Sequence, residues 1–308
     1  MADGPILVLD SASLYYRNFY ALPESMTAPD GHPHNALRGF LDTLTGLIST
    51  YAPSGIVCAW DDDWRPAWRV ELIDTYKTHR VVDGTEAEED EPDTLGPQIG
   101  AIADVLDTWG IARVGQRGFE ADDVIATIAA RTDGPVLAVT GDRDLFQVID
   151  DEARNAVLYT ANGGMAKWPT MTAASLVERY GVLPHQYVDF AVLRGDPSDG
   201  LPGVPGIGEK TAAALLAAHG DLDAILRAAE ETPEKPLTAR LAAKLLDARG
   251  YIQAAQHVVT AHTSVTLPKY NPTLRSNGRT KADALIEEWG VQRSADRLAT
   301  AIDQLTST

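Results

Sequence analysis

Val136-Leu-Ala-Val-Thr140, followed at once by Gly141-Asp142-Arg143-Asp144, reads as a short strand that ends in two carboxylates. Its apolar run shows no alternation, as expected for a strand covered on both faces. Two stretches repeat the pattern: Ile6-Leu-Val-Leu-Asp10, and Ile56-Val-Cys-Ala-Trp60 running into Asp61. Longer amphipathic stretches at 36–51, 95–109 and 122–131 separate them. Strands alternating with helices predict an α/β fold with a mainly parallel central sheet flanked by helices. Ligands of such sheets lie beyond the carboxyl ends of the strands, where Asp10, Asp61, Asp142 and Asp144 fall.

Beyond about residue 165 the strand signal fades into Ala/Leu-rich helical segments at 173–180, 187–194, 209–219, 222–229 and 237–249. Residues 267–281 turn to Pro, Asn, Ser and Gly, predicting a loop before two short final helices. The expected division is an α/β core over 1–165 and a helical part over 166–308.

The chain has 308 residues, 44% of them hydrophobic, enough for one large domain or two closely packed ones. Cys58 is the only cysteine, so an intrachain disulfide and a cysteine zinc site are excluded. No signal-like start and no run of membrane-spanning length is visible, and a cytoplasmic protein with no membrane partner is expected. The net charge of −18 argues against a generally basic nucleic-acid surface. Its distribution matters more than its sum. Much of it lies in the carboxylates at strand ends and in Asp83-Gly-Thr-Glu-Ala-Glu-Glu-Asp-Glu-Pro-Asp93, which reads as a solvated loop.

Glu120-Ala-Asp122-Asp123 and Asp196-Pro-Ser-Asp199 complete the acidic set. Singly, each has an ordinary reading: a helix cap with first-turn acids, a turn after a strand, a polar loop. Gathered together they repel one another, and a multivalent cation is what stabilises such a group near neutral pH. Oxygen ligands without nearby histidine or cysteine favour Mg²⁺ or Mn²⁺ over zinc. Mg²⁺ also coordinates phosphate oxygens, so the pattern points to phosphoryl chemistry. The acids exceed one ion's needs. Two ions about 4 Å apart would activate the attacking water and stabilise the leaving oxygen.

Gly203-Val-Pro-Gly206-Ile-Gly208-Glu-Lys210-Thr211 fails as a nucleotide-binding loop, because Glu209 separates Gly208 from Lys210 and no apolar strand precedes it. It reads instead as a tight turn between two helices, open to a phosphate, with an ordinary helix–helix turn as the plain alternative.

These residues, with Leu9-Asp10, Tyr16-Arg17, Tyr76-Lys77-Thr-His79-Arg80, Gly118-Phe-Glu120-Ala-Asp122-Asp123-Val, Thr140-Gly-Asp142-Arg-Asp144-Leu and Arg194-Gly-Asp196-Pro-Ser-Asp199-Gly-Leu-Pro-Gly203, resemble the bacterial 5′-3′ exonuclease and flap endonuclease family. That family includes the N-terminal nuclease domain of bacterial DNA polymerase I. The likeness runs in the family's order over roughly residues 5–265, and with no polymerase module following, a stand-alone member is expected.

The resemblance implies a PIN-like, flap-endonuclease-like core and a two-metal nuclease that cuts DNA at 5′ ends, flaps or gaps in replication and repair. Asp10, Asp61, Glu120 and Asp122 would serve one metal, Asp142, Asp144, Asp196 and Asp199 the other, with Asp122 or Asp123 near both. A helical arch over about 64–92 would pass the single-stranded 5′ end, with Arg65, Arg69, Lys77 and Arg80 facing phosphates and Tyr76 stacking on a base. Trp64 and Trp68 read more simply as packing. Tyr16 is carried over as a DNA contact, and Arg17 as a guanidinium pointing into the site.

Residues 187–219 would form a helix-three-turn-helix. Gly203, Gly206, Gly208, Lys210 and Thr211 would lie on the duplex backbone, and the carbonyls of Val204 and Ile207 would hold K⁺. RNA/DNA hybrids stay open as substrates, and a nucleoid-associated monomer is implied.

Three departures stand out. Asp61-Asp62-Asp63 replaces a family lysine, with Asp61 preferred over Asp62 as the ligand because it directly follows the apolar run. The arch return is unusually acidic. Gly200 stands where asparagine is common. A branched-DNA-binding protein with little or no nuclease activity and a PIN-like ribonuclease are the alternative readings.

Overall fold

The structure is a computed structural model and describes residues 4–85, 88–161, 163–231 and 233–307. Its centre is a six-stranded sheet in the order β3-β2-β1-β4-β5-β6. The strands are β1 (Ile6–Asp10), β2 (Gly55–Ala59), β3 (Ala112–Val114), β4 (Val136–Thr140), β5 (Ala156–Tyr159) and the two-residue β6 (Thr170–Met171). All neighbours pair in parallel except β5 with β6, so the expectation of a mainly parallel sheet holds. Register sets Leu9 beside both Cys58 and Val139. The ends of β1, β2 and β4 therefore finish at one level.

Helices α1 (Ser11–Ala21), α2 (Asn35–Tyr51), α3 (Ala67–Leu72), α4 (Gly96–Trp109) and α5 (Ala121–Arg131) connect the strands. α1 had no sequence signal of its own. It starts on the residue after β1, with Asp10 as its N-cap accepting from the Ser13 amide at 3.0 Å. Strand end and helix cap are thus one residue, which leaves no turn to read.

The helical half follows as α6 (Ala173–Tyr180), α7 (Tyr187–Arg194), α8 (Glu209–His219), α9 (Leu222–Glu230), α10 (Ala239–Asp247) and α11 (Arg249–Val259). The stretch expected as one helix over 237–249 breaks near Ala248, where α11 begins. The chain ends with α12 (Gly278–Lys281), α13 (Asp283–Glu288) and α14 (Gln292–Thr306), three helices rather than two, the last of 15 residues.

Two apolar layers sandwich the sheet. One joins Val8, Val57 and Ala138 to α5 and to the helices from α6 to α11. The other joins Leu7, Leu9 and Val139 to α1, α2 and α4, with Ile286, Leu298 and Ile302 of the final helices. Alternate residues of the same strands feed opposite layers, as a doubly covered strand requires. α12–α14 thus return to the α/β part, while α6–α11 cover its other face. No helix among the described residues is long and apolar enough to cross a membrane.

Candidate active site

A pocket of about 350 Å³ opens where β1, β2 and β4 end. Its wall carries Asp10, Asp61, Glu120, Asp122, Asp142 and Asp196 with Lys77 and Arg80 among them. Chain segments far apart in sequence therefore meet as the strand-end rule demands. Asp61 is on the wall and accepts from the Ala121 amide at 2.7 Å, whereas Asp62 is exposed and packs beside Gly115.

Burial is the largest influence on Asp10, Asp61 and Asp122. It raises Asp10 to about 7, with Asp61 and Asp142 adding repulsion while Thr140 and the Ser13 amide partly offset it. The Thr140 hydroxyl donates to Asp10 at 2.7 Å. Asp122 is pushed well above the usual carboxylate range by burial and then by Asp142, Asp10 and Glu120. Asp61 is raised by burial, against which Lys77 acts.

Asp144 and Asp199 are buried beside the pocket rather than on its wall. Burial and then Asp142, Asp199 and Asp196 raise Asp144, and its Oδ1 has no hydrogen-bond partner. Asp199 rises to about 6 through burial, which Lys77 opposes and Asp142 reinforces. Buried carboxylates that repel one another and leave an oxygen unsatisfied fit a cation. Among the described residues no three such groups converge into a ready-made shell. Mg²⁺ does not require one, since it takes one or two carboxylates and completes its shell with waters and phosphate oxygens.

Several expected site residues are placed otherwise. Asp123 was expected near both metals, but successive helical residues point about 100° apart, so α5 can turn only one of its two aspartates to the pocket. Asp122 takes that place. Asp123 is fully buried, its Oδ1 bonded to Arg69 at 2.9 Å and to the His262 amide at 2.8 Å. Its Oδ2 accepts from the Glu120 amide at 3.1 Å, closing a capping box.

Arg69 does not face phosphates: it is 2% exposed, pairs with Asp123 and Glu120, and donates to the Val258 carbonyl at 3.1 Å. Tyr76 does not present a stacking face, because its ring is in the core and its hydroxyl lies 3.0 Å from both Glu120 oxygens. Glu120 also receives Lys77 at 2.9 Å. The Glu120 carboxylate, expected to be a metal ligand, is thus held by hydrogen bonds from Tyr76 and Lys77 and by an ion pair with Arg69, and it fixes Lys77 at the pocket.

Arg17 turns away from the site, donating to the Gly163 carbonyl with its guanidinium over Trp168. Arg65 donates to the 74–78 loop, bonding the Tyr76 carbonyl at 2.7 Å and Thr78 at 3.1 Å. Tyr16 does line the pocket, and so does Trp64, which sequence assigned to packing.

Among the described residues, the region expected as the arch holds the six-residue helix α3, packed on α11, and a 3₁₀ turn at Thr78–Arg80. Gly200 explains how its base docks: at φ +74 a Cβ would sit 2.1 Å from the Thr75 carbonyl. Only glycine permits that approach. The Lys77 amide then bonds the Asp199 carbonyl at 3.0 Å, holding Lys77 in a left-handed conformation at φ 49. Burial would lower the Lys77 ammonium, but Glu120, then Tyr76 and Asp199, more than offset it, so the charge is kept. Part of the acidic run is not solvated either. Glu89 lines the pocket, raised by burial and by Asp61; residues 86 and 87 of that run lie outside the described residues.

The glycine turn joins α7 to α8 as expected. Gly203 has φ +71, and a Cβ there would lie 2.6 Å from the Arg194 carbonyl. Gly208 is the N-cap of α8, with Lys210 and Thr211 in its first turn. Val204 and Ile207 are buried, and the Val204 carbonyl accepts from the Ile207 amide at 2.9 Å. Lys244, missed by sequence reasoning, reaches the Pro205 carbonyl at 2.7 Å from α10, and nothing local in the sequence signals that pairing. Ser13, Arg143 and Ser198 were also missed, although Arg143 stands inside the Asp142-Arg-Asp144 motif.

Two family models match the chain: the 5′-3′ exonuclease N-terminal resolvase-like domain over residues 5–181 and the 5′-3′ exonuclease C-terminal SAM fold over 182–284. The chain belongs to the 5′-3′ exonuclease family. A 5′-3′ exonuclease of Streptomyces coelicolor is 49% identical over 96% of this chain and 99% of its own length. One of Mycobacterium tuberculosis is 45% identical over 98% and 99%. DNA polymerase I of Mycobacterium bovis matches at 41% over 73% of this chain but 24% of its own length. The same fold recurs among solved structures. The T5 D15 flap endonuclease in a pseudo-enzyme-product complex with DNA and metal ions superposes with TM-score 0.63 at 17% identity, covering 99% of this chain and 100% of that one. Human GEN1 in complex with Holliday junction DNA gives 0.64 at 17% identity, covering 98% and 73%.

Proposed function

We infer that this exonuclease-family chain is a divalent-metal-dependent 5′-3′ exonuclease and structure-specific flap endonuclease. It hydrolyses DNA phosphodiesters near 5′ single-strand/duplex junctions, in flap and primer removal and in repair. The observation that carries this reading is the convergence of strand-end and loop carboxylates on one pocket with Lys77 and Arg80. An all-oxygen donor set suits two or more Mg²⁺ or Mn²⁺ ions, with Asp10, Asp61 and Asp122 toward one position and Asp142, Asp144, Asp196 and Asp199 toward the other. Such ions, when bound, supply an activated water and neutralise charge on the scissile phosphate.

The chain's own groups do the rest. Lys77, fixed by Glu120, presents a buried positive charge where negative charge develops, and Arg80 adds a second from beside Asp199. Thr140 and the Ser13 amide orient Asp10. The glycine turn, with Lys210 and Thr211, grips the duplex backbone without reading sequence. K⁺ at the Val204 and Ile207 carbonyls, RNA/DNA hybrids as further substrates, and a cytoplasmic, nucleoid-associated monomer belong to the same reading. Terminal nucleotides must unpair to reach the carboxylates, which costs a few kcal/mol and favours frayed or displaced ends.

A 5′-labelled flap and a plain RNA strand, each with and without Mg²⁺, test the proposal. Cleavage of the flap alone, and only with Mg²⁺, is expected. A flap bound but uncut would instead indicate a branched-DNA-binding protein, and preferential cutting of RNA would indicate a ribonuclease.

A further inference from the structure

Between the pocket and the glycine turn, two arginines share two carboxylate oxygens. Arg194, at the end of α7, reaches Asp196 Oδ2 at 3.2 Å and Glu209 Oε1 at 3.5 Å. Arg143 approaches the same two oxygens at 3.6 Å each. The pair are not equivalent. The Arg194 side chain is 8% exposed, lies over Phe190 and makes a true hydrogen bond to Asp196. The Arg143 side chain is 32% exposed and lines the pocket, and both of its contacts exceed hydrogen-bond range.

Asp196 does not need Arg143. Its Oδ2 is satisfied by Arg194, and its Oδ1 accepts from the Ser198 amide at 2.9 Å and from the Ser198 hydroxyl. Glu209 is the first residue of α8, directly after Gly208, and its side chain is 54% exposed. It therefore sets a negative charge at the helix start where a backbone phosphate would dock, and 3.6 Å from Arg143, the more exposed of the two guanidiniums.

We propose that Arg143 is a substrate-phosphate contact of this nuclease, held in the free protein between Asp196 and Glu209, and that an arriving DNA phosphate takes the place of Glu209. The proposal rests on the pocket being the DNA-cleaving site. A guanidinium with weak internal partners and an open path to solvent gains hydrogen bonds when a phosphate arrives, whereas one embedded like Arg194 does not. Glu209 then acts on specificity. A DNA strand must supply enough phosphate charge to replace it, which a duplex lying along the glycine turn does better than an isolated single strand.

Binding of a flap duplex and of the matching single strand, measured in EDTA over a salt series, tests this with Arg143→Gln, Glu209→Gln and the double variant. Arg143→Gln is expected to weaken flap binding by roughly tenfold and to lower the salt slope by about one. Glu209→Gln is expected to tighten binding several-fold, more for the single strand than for the flap. That gain should vanish in the double variant, since it acts through Arg143.

If the cluster only braces Asp196, both single variants weaken binding with an unchanged slope, and the proposal falls. Arg143→Lys, which keeps the charge, should keep the slope; a slope that drops as in Arg143→Gln also overturns it. Wild-type protein that fails to bind the flap at all would refute the underlying function instead.

Discussion

Removing divalent metal should make the protein less stable as pH rises through neutrality. Asp10 is raised from 3.8 to about 7, and Asp199 from 3.8 to about 6, by burial first and neighbouring charges after it. Between these limits the folded state holds more protons than the unfolded chain, so stability falls as pH rises. A shift of about three units corresponds to roughly 4 kcal/mol for Asp10 alone. Each shift is caused first by the group's own burial and only Asp142 is a shared neighbour, so the two contributions largely add, with about 7 kcal/mol as the upper bound for the pair. At about 2 °C per kcal/mol for a chain of this size, Tm in EDTA should drop by several degrees from about pH 5 to about pH 8. Saturating Mg²⁺ should restore most of that loss at the higher pH, because a bound cation favours the ionised carboxylates. Thermal unfolding followed by circular dichroism at stepped pH, with EDTA or Mg²⁺, measures both effects. A metal-free Tm that is flat or rises over this window would refute the electrostatic reasoning, as would a Tm indifferent to Mg²⁺ at the higher pH.

Other perturbations follow from the same contacts. Arg69→Ala strips Asp123 and Glu120 of a buried partner and should destabilise the fold by about 3–5 kcal/mol in urea unfolding, whereas a contact that faced solvent would cost under about 1 kcal/mol. Gly200→Ala should undock the Thr75–Lys77 segment, because the added methyl collides with the Thr75 carbonyl. Its turnover should fall at least tenfold while flap binding changes little, and wild-type turnover would contradict the role given to that approach. Lys77→Met keeps the stem but removes the charge and should lower single-turnover cleavage by about two to three orders of magnitude, a loss typical of a missing transition-state charge contact.

The fold was legible where local pattern and global role coincide. The apolar runs of β1, β2 and β4 are covered on both faces, so periodicity marked them, and the acids at their ends fell into one pocket by topology alone. β3 has three residues, and α1 borrows the last residue of β1 as its cap, so neither left a local signal. The positive residues were harder to place. Arg69, Lys77 and Arg80 look alike in sequence, yet one is sealed against Asp123, one is fixed by Glu120 at the pocket, and one lies beside Asp199. What separates them is the docking of 75–77 on Gly200 and of α3 on α11, contacts more than a hundred residues apart along the chain. Asp122 and Asp123 differ for a simpler reason, helical rotation, and that was available from the sequence.

Asp142→Asn is the most direct test, since Asp142 lies on the pocket wall and repels Asp10, Asp122 and Asp144. Single-turnover cleavage of a 5′ flap in Mg²⁺, measured alongside flap affinity in EDTA, should show cutting abolished and binding kept or slightly tightened. Wild-type cleavage by a correctly folded Asp142→Asn variant would contradict the assignment of this pocket to phosphodiester hydrolysis.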